Sequence, residues 1–305
     1  MQPKLDNDYI FSNLDVQMIN SNKSLRFEVV DELKSRLYKS QILGLKVKQL
    51  RKNVYTIEDN KEVVVISHES LKLFRTINGV FYDSNFTDIK LANTCICTED
   101  TLSALICNCP NLTSVDFTGM NTENSKTARW MVYHCSNLQY INLGGIDTSK
   151  VVDMASMFSH LYKLTKIEGL HKIDTSSAVN ISRMFSCLES IEELDLSELD
   201  FSNVTNMDNI FEFNANLKKI NMPGLKNKSN IKMQGVFSNC AKLQFINMQN
   251  FIDCDSSIFY QIMQCKSLKE LRIKKSHALI ESFLSQGKYP KDLKIITDSK
   301  TYMVQ

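Results

Sequence analysis

Glycine and proline are scarce, at 9 and 4 of 305 residues, and tryptophan occurs once. That composition excludes a collagen-like chain and weighs against a long disordered one. No run approaches 18 consecutive apolar residues, so no segment reads as a transmembrane helix. An excess of one charge is also missing. The 36 basic and 34 acidic residues leave a net charge of +2, too balanced for nucleic acid or a membrane to be the main partner. P-loop, G-x-G-x-x-G, G-x-S-x-G and H-E-x-x-H motifs are all absent. The opening residues, Met1-Gln2-Pro3-Lys4-Leu5-Asp6-Asn7-Asp8, lack the basic and apolar regions of a secretory signal, so the expected location is the cytoplasm. Export by a non-classical route, or delivery into a host cell, stays open. The nine cysteines form an odd set, unlike a secreted disulfide scaffold, and are expected to be buried thiols.

What the chain does have is a repeat. The pattern apolar-x-x-apolar-x-apolar occurs as Phe86/Ile89/Leu91, Leu112/Val115/Phe117, Leu138/Ile141/Leu143 and Leu164/Ile167. It continues as Ile191/Leu194/Leu196, Leu217/Ile220/Met222, Leu243/Ile246/Met248 and Leu268/Leu271/Ile273, with Leu293/Ile296 as a further copy. From residue 86 the first positions are spaced 26, 26, 26, 27, 26, 26, 25 and 25 apart. A second ladder runs in step: Phe158, Phe185, Phe211 and Phe237, each preceded by an apolar residue. Near-copies DTSKV (147–151), DTSSAV (174–179) and DFSNV (200–204) precede three of them. The expectation is one coil per repeat, a short strand and then a short helix capped by Ser149, Ser176 or Ser202, with Val151, Met154 and Phe158 at helical spacing. Stacked coils would bury both faces and form a parallel sheet. Cys109, Cys135, Cys240 and Cys265 each lie three residues before a strand, a slot that Leu161 and Asn214 fill elsewhere, and Cys187 is one position off. A slot of that kind is a packing position.

These motifs resemble the BspA-like leucine-rich repeats, the 26-residue repeat of bacterial surface proteins. Its closest copies here are Asn137 to Phe158 (NLQYINLGGIDTSKVVDMASMF) and Ile191 to Phe211 (IEELDLSELDFSNVTNMDNIF). The resemblance covers roughly residues 84–275 and implies an α/β solenoid, a leucine-rich-repeat right-handed superhelix of about eight coils with a parallel sheet on one face. For function it implies adhesion, partner binding or immune recognition, with no catalytic residues and no cofactor. The motif is lost in the flanking coils, at 124–131 and 254–263.

Three regions follow: residues 1–83 as a small α+β N-terminal cap, 84–275 as the solenoid, and 276–305 as a C-terminal capping helix and strand. Within the cap, Ser24 to Tyr38 carries apolar residues at helical spacing, whereas Val54 to Ile57, Glu62 to Ile66 and Leu71 to Ile77 read as strands and Asn78-Gly79 as a turn. Lys34, Arg36, Lys39, Lys46, Lys48, Arg51 and Lys52 make 31–52 basic, read as a solvated helix face, with contact to an anionic surface as the alternative. Ser276 to Gln286 reads as a helix stopped by Gly287 and Pro290, followed by a strand at Leu293 to Thr297.

Residues between the buried strand positions should point outward at fixed spacing, which makes the strand face the candidate partner site. Its central column is Asp116, Asn142, Glu168, Asp195, Asn221, Asn247 and Arg272, flanked by Ser114, Tyr140, Lys166, Glu193, Lys219, Phe245 and Glu270. The candidate contact residues are Tyr140, Asn142, Lys166, Glu168, Glu193, Asp195, Lys219, Asn221, Phe245, Asn247 and Arg272, with Tyr140 and Phe245 as aromatic anchors. The expected function is a non-enzymatic protein-interaction module, possible also as an effector-type protein. An exported adhesin-like protein is the alternative, and an enzyme or toxin activity within 1–83 a more distant one. For metal, Cys95-x-Cys97 with Cys107-x-Cys109 offers four thiolates, but with spacing tighter than structural zinc sites prefer. His134, Cys135, His160 and Cys187 fall at nearly equivalent points of successive coils, where polar corner residues are expected rather than a Cys–His nucleophile pair. No catalytic residue, metal or cofactor is expected.

Overall fold

The 26-residue period sets each apolar strand position beside its equivalent in the next coil, and only a stack of coils satisfies that pattern. A computed structural model of the chain describes residues 25–30, 46–51, 54–59, 61–67, 81–82, 86–91, 101–222, 231–249 and 257–274. Toward the C-terminus it describes 280–281, 284–285, 287 and 289–304. The chain is a β-solenoid of about seven turns, with parallel sheets and few helices.

The strand face carries β6 (Asp88–Lys90), β8 (Ser114–Asp116), β10 (Tyr140–Asn142) and β11 (Lys166–Glu168), paired in parallel one coil apart. It resumes with β12 (Glu193–Asp195), β13 (Lys219–Asn221), β14 (Phe245–Met248), β15 (Glu270–Ile273) and β16 (Lys294–Ile296), and β17 (Thr301–Met303) closes that sheet antiparallel to β16. A second ladder of single bridges joins Thr101, Thr127, Asp153, Asn180, Asn206 and Lys232. A third begins as β5 (Phe81–Tyr82), β7 (Ile106–Cys107) and β9 (Val132–Tyr133).

The short helices expected after Ser149, Ser176 and Ser202 are not formed. Ser156 and His160 have φ of 55° and 60°, inside the stretch that was to be helical, and a left-handed residue every four positions stops an α-helix. The same two conformations recur in each coil at Ala104 and Asn108, Trp130 and His134, Arg183 and Cys187, and Asn209 and Phe213. The N–H groups there bond to the next coil instead. Met154, Ser156, Phe158 and His160 donate to the carbonyls of Asn180, Ser182, Met184 and Ser186 at 2.8–3.1 Å. The serines do not act as caps either: Asp147, Asp174 and Asp200 accept from the N–H of Ser149, Ser176 and Ser202, closing Asx turns. The threonines between them are buried, and Thr148 and Thr175 donate to the carbonyls of Asp174 and Asp200, both at 2.8 Å.

Inside the coils, Val115, Ile141, Leu194, Ile220, Ile246 and Leu271 are buried at the strand centres. Val151, Met154 and Phe158 are buried as expected, though on turns rather than a helix. Phe158, Phe185, Phe211 and Phe237 form a column of stacked rings with centroids 5.9–6.2 Å apart. The cysteine slot also has a polar role that packing alone did not suggest. Cys109 and Cys240 donate to the carbonyls of Phe81 and Phe211, at 2.7 and 3.1 Å, and Asn214 uses its amide in the same way on Phe185 at 2.9 Å. Asn137 and Asn216 reach back to the carbonyls of Pro110 and Glu189.

In the N-terminal segment, β1 (Leu25–Val30), β2 (Lys46–Arg51), β3 (Val54–Asp59) and β4 (Lys61–Ser67) extend the first strand-face sheet in the order β6-β1-β4-β3-β2. The helix expected from Ser24 is thus a strand over its first residues. Leu25, Phe27 and Val29 alternate with Arg26 and Glu28, and parallel pairing of β1 with both β4 and β6 selects that period of two. Lys46, Lys48 and Arg51 likewise lie on β2 and not on a helix face. The strands expected at 54–57 and 62–66 are present as β3 and β4. Residues 31–45, 71–77 and the Asn78-Gly79 turn lie outside the described residues. At the other end 280–281 and 284–285 are helical, and a helix α1 (Ser257–Met263) fills part of the coil that lacks the motif.

Because Asn214 is buried and also accepts from the N–H of Leu188 at 2.7 Å, Asn214→Ala leaves two backbone groups unpaired. The expected cost is about 1–3 kcal/mol for each. Asn214→Cys, which keeps the donor to Phe185, should lose distinctly less. Guanidinium denaturation followed by circular dichroism ranks the two, and equal losses would refute this role for the slot.

Candidate functional site

The strand register places the eleven candidate residues on one side of the coils, but in two groups. Tyr140 and Asn142 pair with Lys166 and Glu168 in the first sheet. Glu193, Lys219 and Phe245, and beside them Asp195, Asn221, Asn247 and Arg272, align in the second.

Several of these side chains serve the fold. Asn142, Asp195 and Asn247 accept from the N–H of Gly144, Ser197 and Gln249, as Asp116 does from Thr118, so each turns the chain out of its strand. The recurring Asp or Asn at the strand end is explained by that Asx turn, and its place in the central column does not by itself mark a contact residue.

The aromatic positions are different, because their neighbours are cations. In the first group the Tyr140 hydroxyl donates to Glu168 Oε2 at 2.5 Å, Lys166 Nζ reaches the same oxygen at 3.1 Å, and that ammonium lies 5.5 Å from the Tyr140 ring centre. The bond to Glu168 pushes the Tyr140 phenol up to about 12 and holds the Glu168 carboxyl low. In the second group Phe245, half-buried, lies between Arg272 at 5.1 Å and Lys219 at 5.9 Å from its ring centre. Arg272 is tied to Glu270 at 2.7 Å, Lys294 lies 3.8 Å from that carboxylate, and Lys219 lies 3.7 Å from Glu193. Lys219, Asn221, Phe245, Asn247, Glu270 and Arg272 line a shallow depression of about 630 Å³. Tyr140 and Phe245 are both partly exposed, as expected of anchors, and both are already covered on one side by a charged neighbour.

Between the two groups the strand face is interrupted. No strand pairing joins β11 to β12, which belong to different sheets. The interruption follows from one extra residue. Asp147 lies five residues after Asn142 and Asp200 five after Asp195, but Asp174 lies six after Glu168. The added residue is taken up in a 3-10 turn, Leu170–Lys172, entered through Gly169 at φ 78°. Leu143 and Leu196 donate from equivalent positions to Glu168 and Asn221 of the next coil, and no such bond forms after β11. A cleft of about 410 Å³ results, lined by Thr165, Lys166, Ile167, Leu170, His171, Ile191, Glu193, Leu194, Asp195, Ser197 and Glu198. Sequence reasoning recorded the 27-residue spacing but not this consequence, which needed the coils to be laid side by side.

A second cluster missed in part lies on the third ladder. His134 and His160, one coil apart, have ring centres 5.9 Å apart and are flanked by Tyr133, 5.2 Å from His160, and Tyr162, 6.0 Å from His160. His134 Nδ1 bonds to Asn108 at 2.9 Å and His160 Nδ1 to Ser159 at 2.7 Å. Burial, then His134 and Arg183, hold the His160 imidazole below its ordinary value, and burial pushes the Cys187 thiol up. A raised thiol is the opposite of an activated nucleophile. Burial also raises Cys135 well above the ordinary thiol value and pushes Cys240 and Cys265 up to about 12. Of the four thiols considered for zinc, Cys107 donates to Trp130 and Cys109 to Phe81, and Cys95 and Cys97 lie outside the described residues. Among the described residues no group of three or more His, Cys, Asp or Glu is arranged to hold a metal ion, and no helix is long and apolar enough to cross a membrane.

Fold and surface together define a repeat solenoid with an exposed, regularly spaced strand face. Residues 121–251, less than half of the chain, match the family described as "Mycoplasma protein of unknown function, DUF285". The match covers the coils in which the D-T-S and Met-Phe motifs are most regular. No curated protein matches the chain.

Two pH responses follow. His160 has a lowered folded value, so the unfolded chain takes up the proton first and stability falls as pH drops below 6.5. Thermal melts between pH 7.5 and 5 should show that loss, and His160→Phe should flatten it; an unchanged slope would refute the assignment. At the alkaline end the Tyr140–Glu168 contact contributes below pH 10 and is lost as pH rises toward 12. The ultraviolet titration difference between wild type and Tyr140→Phe should therefore show one phenol ionising near 12. Glu168→Gln should return it toward 10, the ordinary phenol value.

Proposed function

We propose that the protein is a non-enzymatic interaction module that binds a protein partner through the strand face of its solenoid. In this reading the coils are BspA-like leucine-rich repeats, about eight in number, and the protein works in the cytoplasm, its own or that of a host cell. The support for the repeat class is the motif itself, N-L-x-x-L-x-L followed by D-T-S and Met-Phe, together with the family match over 121–251.

The observation that carries the functional reading is the Phe245 cluster. A half-buried ring held between Arg272 and Lys219, on a parallel ladder that fixes its position, has the composition of an interface anchor. Arg272 is hydrogen-bonded to Glu270, so part of its side-chain freedom is already given up before a partner docks. Tyr140, pinned by Glu168 and Lys166, offers a second anchor of the same kind on the first sheet. Asn142, Asp195 and Asn247 contribute through the turns they close, and Asn221, Lys166, Glu168, Glu193 and Lys219 form the polar surround.

The test compares capture from lysate by wild type and by a variant carrying Tyr140→Ala, Phe245→Ala and Arg272→Glu, after both are shown to melt alike. A protein held by the wild type and lost by the variant is expected, and the purified partner should bind Phe245→Ala at least roughly thirtyfold more weakly, the effect of an anchor worth about 2 kcal/mol. Equal capture by the two would move the site off this face.

A further inference from the structure

The interruption between β11 and β12 leaves two strand edges facing a cleft in the middle of the stack, while the coils on either side stay joined elsewhere. Asp153 still bridges to Asn180, and Phe158 and His160 still donate to Met184 and Ser186 at 3.0 and 3.1 Å. The coils are splayed on one face only. The effect on packing is visible at Ile167. It is the centre of its strand, as Ile141 and Leu194 are of theirs, yet those two are buried and Ile167 is half-exposed toward the cleft. With Leu170, Ile191 and Leu194 it makes an apolar floor.

We propose that this cleft takes up an extended, basic peptide segment of a partner protein, which pairs through its main chain with the open edge of β12. The chemistry comes from three features. First, β12 bonds to β13 on one side only, so on its other edge the alternate N–H and C=O groups of a three-residue strand are presented to an incoming chain. Second, alternate side chains of an extended peptide point to opposite sides, and the apolar floor accepts one set. Third, the wall carrying β12 is acidic. Glu193, Asp195 and Glu198 line it against Lys166 and His171 opposite; Lys166 is already paired with Glu168 and Glu193 with Lys219, which leaves Asp195 and Glu198 as the carboxylates outside an ion pair. The excess of carboxylates selects lysine or arginine in the other set of peptide positions. The volume, about 410 Å³, lies in the lower part of the range for ligand pockets and suits a few residues of extended chain. The proposal deepens the reading of the solenoid as a binding module, but it does not depend on the Phe245 cluster.

The probe is a phage-displayed library of random octapeptides, panned against the full chain, with the enriched sequences then synthesised and titrated. Peptides alternating apolar with basic residues should be enriched. Their affinity should fall at least tenfold with Glu198→Lys, at an exposed position, and with Ile167→Asp, at a half-buried one, each variant first shown to melt like the wild type. It should stay within twofold for Glu123→Lys, a charge reversal on an exposed turn outside the cleft. N-methylation of one alternate set of peptide amides should weaken binding at least tenfold, and methylation of the other set less than threefold, as a single paired edge requires. Failure to enrich any octapeptide would overturn the proposal. So would enriched peptides insensitive to both cleft substitutions, or equally sensitive to methylation of either set. Because the partner-capture test turns on Tyr140, Phe245 and Arg272, each of the two readings can fail while the other stands.

Discussion

The structure depends on backbone hydrogen bonds between successive coils. A single coil of this chain cannot satisfy its own N–H and C=O groups, because the left-handed residues that recur in it prevent a helix and its strands are only two to four residues long. Satisfaction comes from the neighbour one coil away, as when Ala128, Trp130, Val132 and His134 donate to Asp153, Ala155, Met157 and Ser159. Four such bonds at each of five successive boundaries, those beginning at Leu102, Ala128, Met154, Ile181 and Met207, offset the cost of holding alanine, tryptophan, serine and arginine in a conformation that asks for glycine. The apolar column then follows. Once the coils are in register, Phe158 must lie on Phe185 and Phe211 on Phe237, and the core is filled by a repeated residue instead of by a unique jigsaw.

That constraint decides what was legible in the sequence. The period, the strand positions and the buried faces could be read because each coil repeats the same residue types in the same places. The second half of each coil departs from the expected helix for a physical reason. Val151, Met154 and Phe158 are spaced three and four apart, and nothing in the composition distinguishes a helix from turns that bury the same residues. The signal that separates them is the left-handed pair at 156 and 160, filled by serine and histidine without a glycine to announce it. The serines of D-T-S stand where helix caps are expected, while the bonding falls on the aspartates and on the buried threonines. At the N-terminus the first strand was hidden by apolar residues that fit either period, and pairing with β6 decides between them.

The candidate site was legible by position only. Reading outward-facing residues from the repeat picks out residues that the ladders do align on one side of the coils, but it treats them as equals. The structure sorts them: aspartates and asparagines at the strand ends close turns, and the two aromatic residues are held by cations. This sorting could have been anticipated in part, since an Asp or Asn recurring at one coil position is what a turn requires. The pairing of Phe245 with Arg272 and Lys219 could not, because it depends on residues one coil apart being brought to within about 6 Å by the ladder.

A stack held by periodic bonds is also sensitive to a change of period, and that links the fold to the cleft. An extra residue in a globular loop is absorbed at little cost. Here it must fall on one of the three ladders, and in the coil beginning at Leu164 it falls between the strand and Asp174, where the turn through Gly169 takes it up. The other ladders keep their register, so the cost is confined to one face, and it takes the form of unpaired strand edges and a half-exposed isoleucine. Water satisfies the exposed edge groups, but the isoleucine is unfavourable in water, and an open strand edge is a template on which another strand can pair and cover it. The irregular coil is thus where the proposed peptide would dock, for the same reason that it is the place where the repeat fails.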